Sequence, residues 1–266
     1  SHRQQQVSQR PPRSRPSAVL LAVHGLNDHH GAFHTIASHL TRAGVAVCSY
    51  DQIGFGTTPQ RGQWPGTGPL ADDLRLHAGK MRRRYPDVPL FVLAESMGAA
   101  VALVAFSGHS HERTPDGLVL SAPAVLGRES MGPVRSWLIK AAAALFPDLA
   151  LARPGTVIVT DDPEVHRELA RDPLLIKRTR LEVLAGVISL MDAAAESARE
   201  VRLPTLLLHG EKDPVIPPES VAWLAGKLAG PVQRYGFDRR HLLLRGQAAE
   251  ESSKCIVGWL SQQTGH

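Results

Sequence analysis

Pro89-Leu90-Phe91-Val92-Leu93-Ala94-Glu95-Ser96-Met97-Gly98-Ala99-Ala100-Val101-Ala102-Leu103-Val104-Ala105-Phe106 is the stretch that decides how this chain is read. Its first five residues form an apolar run of the length of a buried strand. Its last eight are small and apolar, as in a helix buried on all sides. Between them, Ala94-Glu95-Ser96-Met97-Gly98 makes a strand–turn–helix junction with a serine at its tip. Such a turn lifts a hydroxyl beyond the carboxyl end of a strand, and the N-terminal N–H groups of the helix aim at the same point. A turn this crowded needs small neighbours. Gly98 meets that need, and Ala94 stands where a glycine is usual.

Outward from this junction, strands and helices alternate. Ala18–Val23, Val45–Tyr50, Gly117–Ser121, Pro204–His209 and Val232–Tyr235 read as strands, most of them apolar throughout. Residues 31–43, 69–84 and 248–260 read as helices. The pattern predicts an α/β fold with a mostly parallel sheet covered on both faces, with ligands at the carboxyl ends of the strands. Gly25, Asp51, Ser96 and Gly210 all follow strand ends and are expected on one rim. Ser121 and Pro204 are separated by 82 residues, whereas a parallel crossover needs about a dozen. The surplus predicts a helical cap inserted after the strand at 117–121. The expected organisation is a basic lead (1–16) that is either a frayed strand or a disordered leader, a core (17–121 and 204–266) and a cap (122–203), forming one structural unit. Val134, Trp137, Leu138, Ala141, Ala142 and Leu145 recur at helical spacing in the cap. Val134, Trp137 and Leu138 are the candidates for an apolar wall along an acyl chain, with transient contact to a lipid surface.

A serine hydroxyl is a weak nucleophile at neutral pH and needs a base, a group to orient the base, and donors for an oxyanion. In folds that carry a serine at such a strand–turn–helix elbow, the acid and then the histidine follow it along the chain. Asp213, just past the strand ending at His209, is the expected acid, with Glu211 as its neighbour and competitor. His241 is the only histidine between Asp213 and the terminal His266. Leu26 and Met97 are the expected backbone oxyanion donors, Gly25 allowing the bend that turns the Leu26 amide inward. His24 is expected to brace that loop by hydrogen bonding. His29, His30 and His34 cluster nearby, but no acid or Cys completes a compelling metal set. No metal or cofactor is expected.

Composition excludes other classes. Of 266 residues 43% are hydrophobic and 21% charged, as in globular domains. The net charge is +5, but four of those positive charges, Arg3, Arg10, Arg13 and Arg15, sit in residues 1–16, where there is no acid. The body is therefore nearly neutral and carries no nucleic-acid footprint. Cys48 and Cys255 are too few for a disulfide framework. No signal peptide or run of about 20 apolar residues is present. A soluble protein is expected, either cytoplasmic or exported after loss of an upstream segment. Compartment and oligomeric state stay open.

These residues resemble the α/β-hydrolase superfamily and, within it, the monoacylglycerol lipase and lysophospholipase group. The matching segments are His24-Gly25-Leu26-Asn27-Asp28-His29, Tyr50-Asp51-Gln52-Ile53-Gly54-Phe55-Gly56, Ala94-Glu95-Ser96-Met97-Gly98, Asp172-Pro173-Leu174 and His209-Gly210-Glu211-Lys212-Asp213. The resemblance implies a Ser96–His241–Asp213 triad, oxyanion donors at Leu26 and Met97, and hydrolysis of a monoacylglycerol or lysophospholipid. Gln52-Ile53, where the group usually carries an Arg, and the Arg239-Arg240 approach to the histidine depart from it. A short- or medium-chain carboxylesterase, a thioesterase, an aminopeptidase and a non-catalytic ligand-binding protein remain alternatives.

Overall fold

Strand β2 (Ala18–Val23) is buried at all six positions. Val19, Leu21 and Val23 enter one core with Leu70, Leu74 and Val101; Ala18, Leu20 and Ala22 enter another with Ile36, Leu40 and Trp259. A strand alternates its side chains across the sheet, so it can be apolar throughout only when helices cover both faces. That requirement sets the architecture. The computed structural model describes residues 8–10, 15–108, 114–125, 133–152 and 157–265, with the side chains of 8–10 and 133–135 outside the description.

Helices α1 (His34–Arg42) and α8 (Ala248–Thr264) cover one face. Helices α2 (Thr67–Arg84), α3 (Met97–Phe106), α6 (Leu181–Ser197) and α7 (Pro218–Ala225) cover the other. The sheet also contains β1 (Ser8–Arg10), β3 (Val45–Ser49), β4 (Leu90–Glu95), β5 (Gly117–Ser121), β8 (Thr205–Gly210) and β9 (Val232–Phe237). Its order is β1-β3-β2-β4-β5-β8-β9. All pairings are parallel except β1 with β3. Ser8–Arg10 of the lead form a short antiparallel edge strand. α3 is buried at nearly every position between α2 and α6, which explains its lack of a polar face.

Between β5 and β8 the described chain forms α4 (Pro133–Leu145), β6 (Ala150–Ala152), α5 (Pro163–Arg171), β7 (Arg178–Arg180) and α6. The segment is not purely helical, because β6 and β7 pair as a two-stranded antiparallel ribbon. α6 packs on α3, and Gly186 admits the Trp64 ring where a Cβ would collide. No described helix is long and apolar enough to cross a membrane.

Beneath the rim, the buried Tyr50 and His77 rings stack 3.9 Å apart at 17°. Burial, aided by the charge of Lys80, lowers the His77 pKa to about 4. The unfolded ring titrates near 6.5 and binds the extra proton first, so stability is full above pH 6.5 and is lost as pH falls toward 4. His24 acts in the same direction. Unfolding free energies from urea curves at pH 7 and 4.5 should show the wild type losing about 2 kcal/mol more than a His77→Phe variant; equal losses would remove His77 from the account.

Candidate active site

β4 and α3 leave Ser96 between them at φ 53°, ψ −115°. A non-glycine residue in this region is strained by about 1–3 kcal/mol. The surroundings hold it there: Ser96 N–H donates to the Ser121 carbonyl at 2.9 Å and Ser96 C=O accepts from Ala124 N–H at 3.1 Å. Gly98 lets α3 sit against β2, since a Cβ there would lie 2.5 Å from the Val23 carbonyl oxygen and 2.7 Å from that of His24.

Ser96, Asp213 and His241, three residues spread over 145 positions, meet at this tip. His241 Nε2 lies 3.1 Å from Ser96 Oγ, and His241 Nδ1 lies 2.7 Å from Asp213 Oδ2. Asp213 Oδ1 accepts the Val215 and Ile216 N–H groups at 2.7 and 3.0 Å, so its other oxygen faces the ring. Glu211 is half exposed and pairs with His209 instead. Its backbone N–H bonds Phe237 O and that of Lys212 bonds Arg239 O, which zips the acid turn to the strand leading to His241. Arg240 pairs with Asp161 and Arg239 with Glu251, each at 2.8 Å. Both guanidiniums thereby have carboxylate partners.

The loop after β2 closes the other side. Met97 is the first residue of α3, so its N–H lies among the unpaired donors of a helix start. Gly25 approaches the elbow closely enough that a Cβ would stand 3.4 Å from Ser96 Cβ, so the loop after β2 runs close past the serine. His24 is fully buried, and burial lowers its pKa despite nearby acids. Its Nε2 accepts Gln52 N–H at 3.1 Å, so Nδ1 carries the proton and donates to the Gly25 carbonyl at 2.8 Å. Gln52 Nε2 also donates to the His24 carbonyl at 2.7 Å. The unusual Gln is therefore a brace for this loop.

Several residues of the site were not legible in the sequence. Arg245, four positions beyond His241, is largely buried and pairs with Asp28; Glu95 Oε2 is 4.0 Å from the same guanidinium. Burial raises the Glu95 pKa against the pull of Arg245. Asn27 takes φ 64°, donates to Thr179 Oγ1 at 2.6 Å and accepts Ile176 N–H at 2.9 Å. Asn at a positive φ is a known tolerance of the type, but nothing in the chain pattern marks its partners.

His29, His30 and Asp51 offer ligand atoms within 4.8 Å of one another, which could suit a cation. As they stand, His29 Nε2 donates to Asp172 Oδ2 at 2.7 Å and its Nδ1 accepts Gly31 N–H, while His30 Nδ1 pairs with Asp51 Oδ1 at 2.8 Å. Burial works against the Asp51 charge, but its bonds from His30 and Thr57 hold it well below the usual carboxylate range. Trp137 and Leu138 stand 66% and 54% exposed on α4, and the Val134 side chain lies outside the described residues.

Fold and site together define an α/β-hydrolase carrying a serine–histidine–aspartate arrangement. The sequence model of the family described as Hydrolase_4, serine aminopeptidase S33, matches residues 14–237, and the chain belongs to that family. The chain is 30% identical over 209 residues to the mouse (Mus musculus) monoglyceride lipase, covering 76% of this chain and 67% of that one. It is 26% identical over 220 residues to the monoacylglycerol lipase of Mycolicibacterium smegmatis, covering 82% and 78%. Among solved structures, a carboxyl esterase from Bacillus coagulans matches with TM-score 0.84 at 20% identity, covering 97% of this chain and 94% of that one. A Paleococcus ferrophilus monoacylglycerol lipase matches with TM-score 0.81, also at 20% identity, covering 98% and 100%. These structural matches carry the fold.

Gly98→Ala should drive α3 off β2 and lower unfolding stability by about 2–3 kcal/mol. A chemical denaturation curve superimposing on wild type would contradict the close approach.

Proposed function

We propose that this protein is a serine carboxylic-ester hydrolase acting on monoacylglycerol-like or lysophospholipid esters. The observation that carries the reading is His241 bridging Ser96 Oγ and Asp213 through its two ring nitrogens. In this reading His241 takes the proton from Ser96 as the oxygen attacks the ester carbonyl. Asp213 fixes the tautomer and stabilises the imidazolium. The Leu26 and Met97 N–H groups receive the oxyanion, a contribution of about 3 kcal/mol per donor. His241 then protonates the departing alcohol, and a water molecule activated by the same ring releases the acid from Ser96. None of these steps calls on a metal or cofactor.

The monoacylglycerol lipases among the relatives support a lipid substrate. The inserted segment 122–203, read as a cap, supports it independently. Trp137, Leu138, Leu145, Phe146, Leu149 and Leu151 are all 46% exposed or more. A run of large apolar side chains in water suits transient contact with a lipid surface. The family description also names aminopeptidases.

Ser96→Ala should lower ester turnover by at least about 10³-fold, and Asp213→Asn by about 10³–10⁴-fold, with melting curves retained. Assays on p-nitrophenyl esters of two to sixteen carbons, a monoacylglycerol, lysophosphatidylcholine and an aminoacyl anilide decide the substrate class. Retained hydrolysis by Ser96→Ala removes the nucleophile assignment, and faster turnover of the anilide removes the ester reading.

A further inference from the structure

The loop after β2 is fastened to the cap at several adjoining points. Asn27 Nδ2 donates to Thr179 Oγ1 at 2.6 Å, and Asn27 C=O accepts Ile176 N–H at 2.9 Å. His29 Nε2 donates to Asp172 Oδ2 at 2.7 Å. The cap side of the joint is itself hydrogen-bonded. Asp172 Oδ1 accepts Leu174 N–H at 2.8 Å, and Arg61 donates to the Pro173 and Leu174 carbonyls at 2.8 and 3.1 Å. Burial opposes the Asp172 charge, but His29 and the Leu174 N–H prevail and hold its pKa below the ordinary value. Thr179 and His29 are both buried. Asn27 sits at φ 64°, directly after Leu26.

We propose that residues 172–179 of the cap position the oxyanion loop, making Thr179 and Asp172 positioning residues for catalysis rather than only parts of a substrate wall. The inference rests on the assignment of Ser96 as nucleophile and Leu26 as oxyanion donor. A peptide held at positive φ relaxes when its partners go, and its neighbour's N–H turns with it. The Leu26 amide would then miss the position an oxyanion occupies.

The chain length of the substrate separates the two roles. A two-carbon acyl group is too short to reach from the serine to a cap wall, yet it needs the oxyanion donors as much as a long chain does. Thr179→Val deletes one buried hydroxyl and leaves the size of the side chain nearly unchanged, so it carries the decision. Its kcat should fall on the order of 10-fold on p-nitrophenyl acetate and on p-nitrophenyl laurate alike. The KM for acetate should stay within about twofold and the melting temperature within a few degrees. Thr179→Ser, which keeps the acceptor, should restore kcat, and Asp172→Ala should act in the same direction as Thr179→Val. Unchanged acetate kcat with a raised KM for laurate alone overturns the proposal and leaves the cap a binding wall. Fluorophosphonate labelling of wild type but not of Ser96→Ala shows separately that the nucleophile assignment stands; its failure would remove that assignment and this inference together.

Discussion

The structure turns on one strained residue. Ser96 must sit at positive φ for its hydroxyl to clear the sheet, and nothing in its own side chain favours that conformation. The fold supplies the compensation from both sides. Its N–H continues the β4–β5 ladder through Ser121, and its C=O anchors Ala124 beyond β5. The adjoining α3 is buried almost end to end. Unwinding the turn would expose that helix, so the burial of α3 outweighs the local backbone cost.

The same device recurs along the rim. Among the described residues only Asn27, Ser96 and Ala122 combine a side chain with a positive φ. Each follows a parallel strand, β2, β4 and β5 respectively, and each is held by bonds to a neighbouring segment. A parallel sheet delivers strand ends to one line with an accuracy set by its ladder. It does not fix the direction in which a loop leaves. Left-handed turns provide that direction, and their cost is borne by a sheet whose two cores are both fully packed.

This division explains what could be read from the chain alone. The strands at 18–23 and 117–121 were legible to the residue because they are apolar runs bounded by Gly, Ser or His. Ser96, Asp213 and His241 were legible because chain order and strand ends constrain them, and the structure brings the three side chains into contact. The inserted segment was legible only as a length. Its α5, α6 and β6–β7 ribbon carry mixed polarity, and the ribbon strands have three residues each. The exposed apolar side chains of α4 mimic a core stripe, since periodicity reports an apolar face and not what covers it. Apart from the brace at His24, the polar fastenings were not legible. Asn27 and Thr179 lie 152 positions apart, and Asp28 and Arg245 lie 217 apart.

Those fastenings share a physical logic. Arg245 places a largely buried charge between Asp28 on the loop after β2 and Glu95 beside Ser96, and it leaves from the loop that carries His241. A buried ion pair contributes little net stability once desolvation is counted, but removing one partner is expensive. Such a pair is therefore a poor source of folding energy and a strong constraint on relative position. His24 with Gln52 imposes a neutral version of the same constraint, its tautomer set by the donor it accepts from. Hydrophobic burial is non-directional and tolerates shifts of a few tenths of an ångström. Oxyanion stabilisation does not, because it depends on donors aimed at a point. Dense packing beneath the rim and directional polar contacts above it thus answer two different requirements of one site.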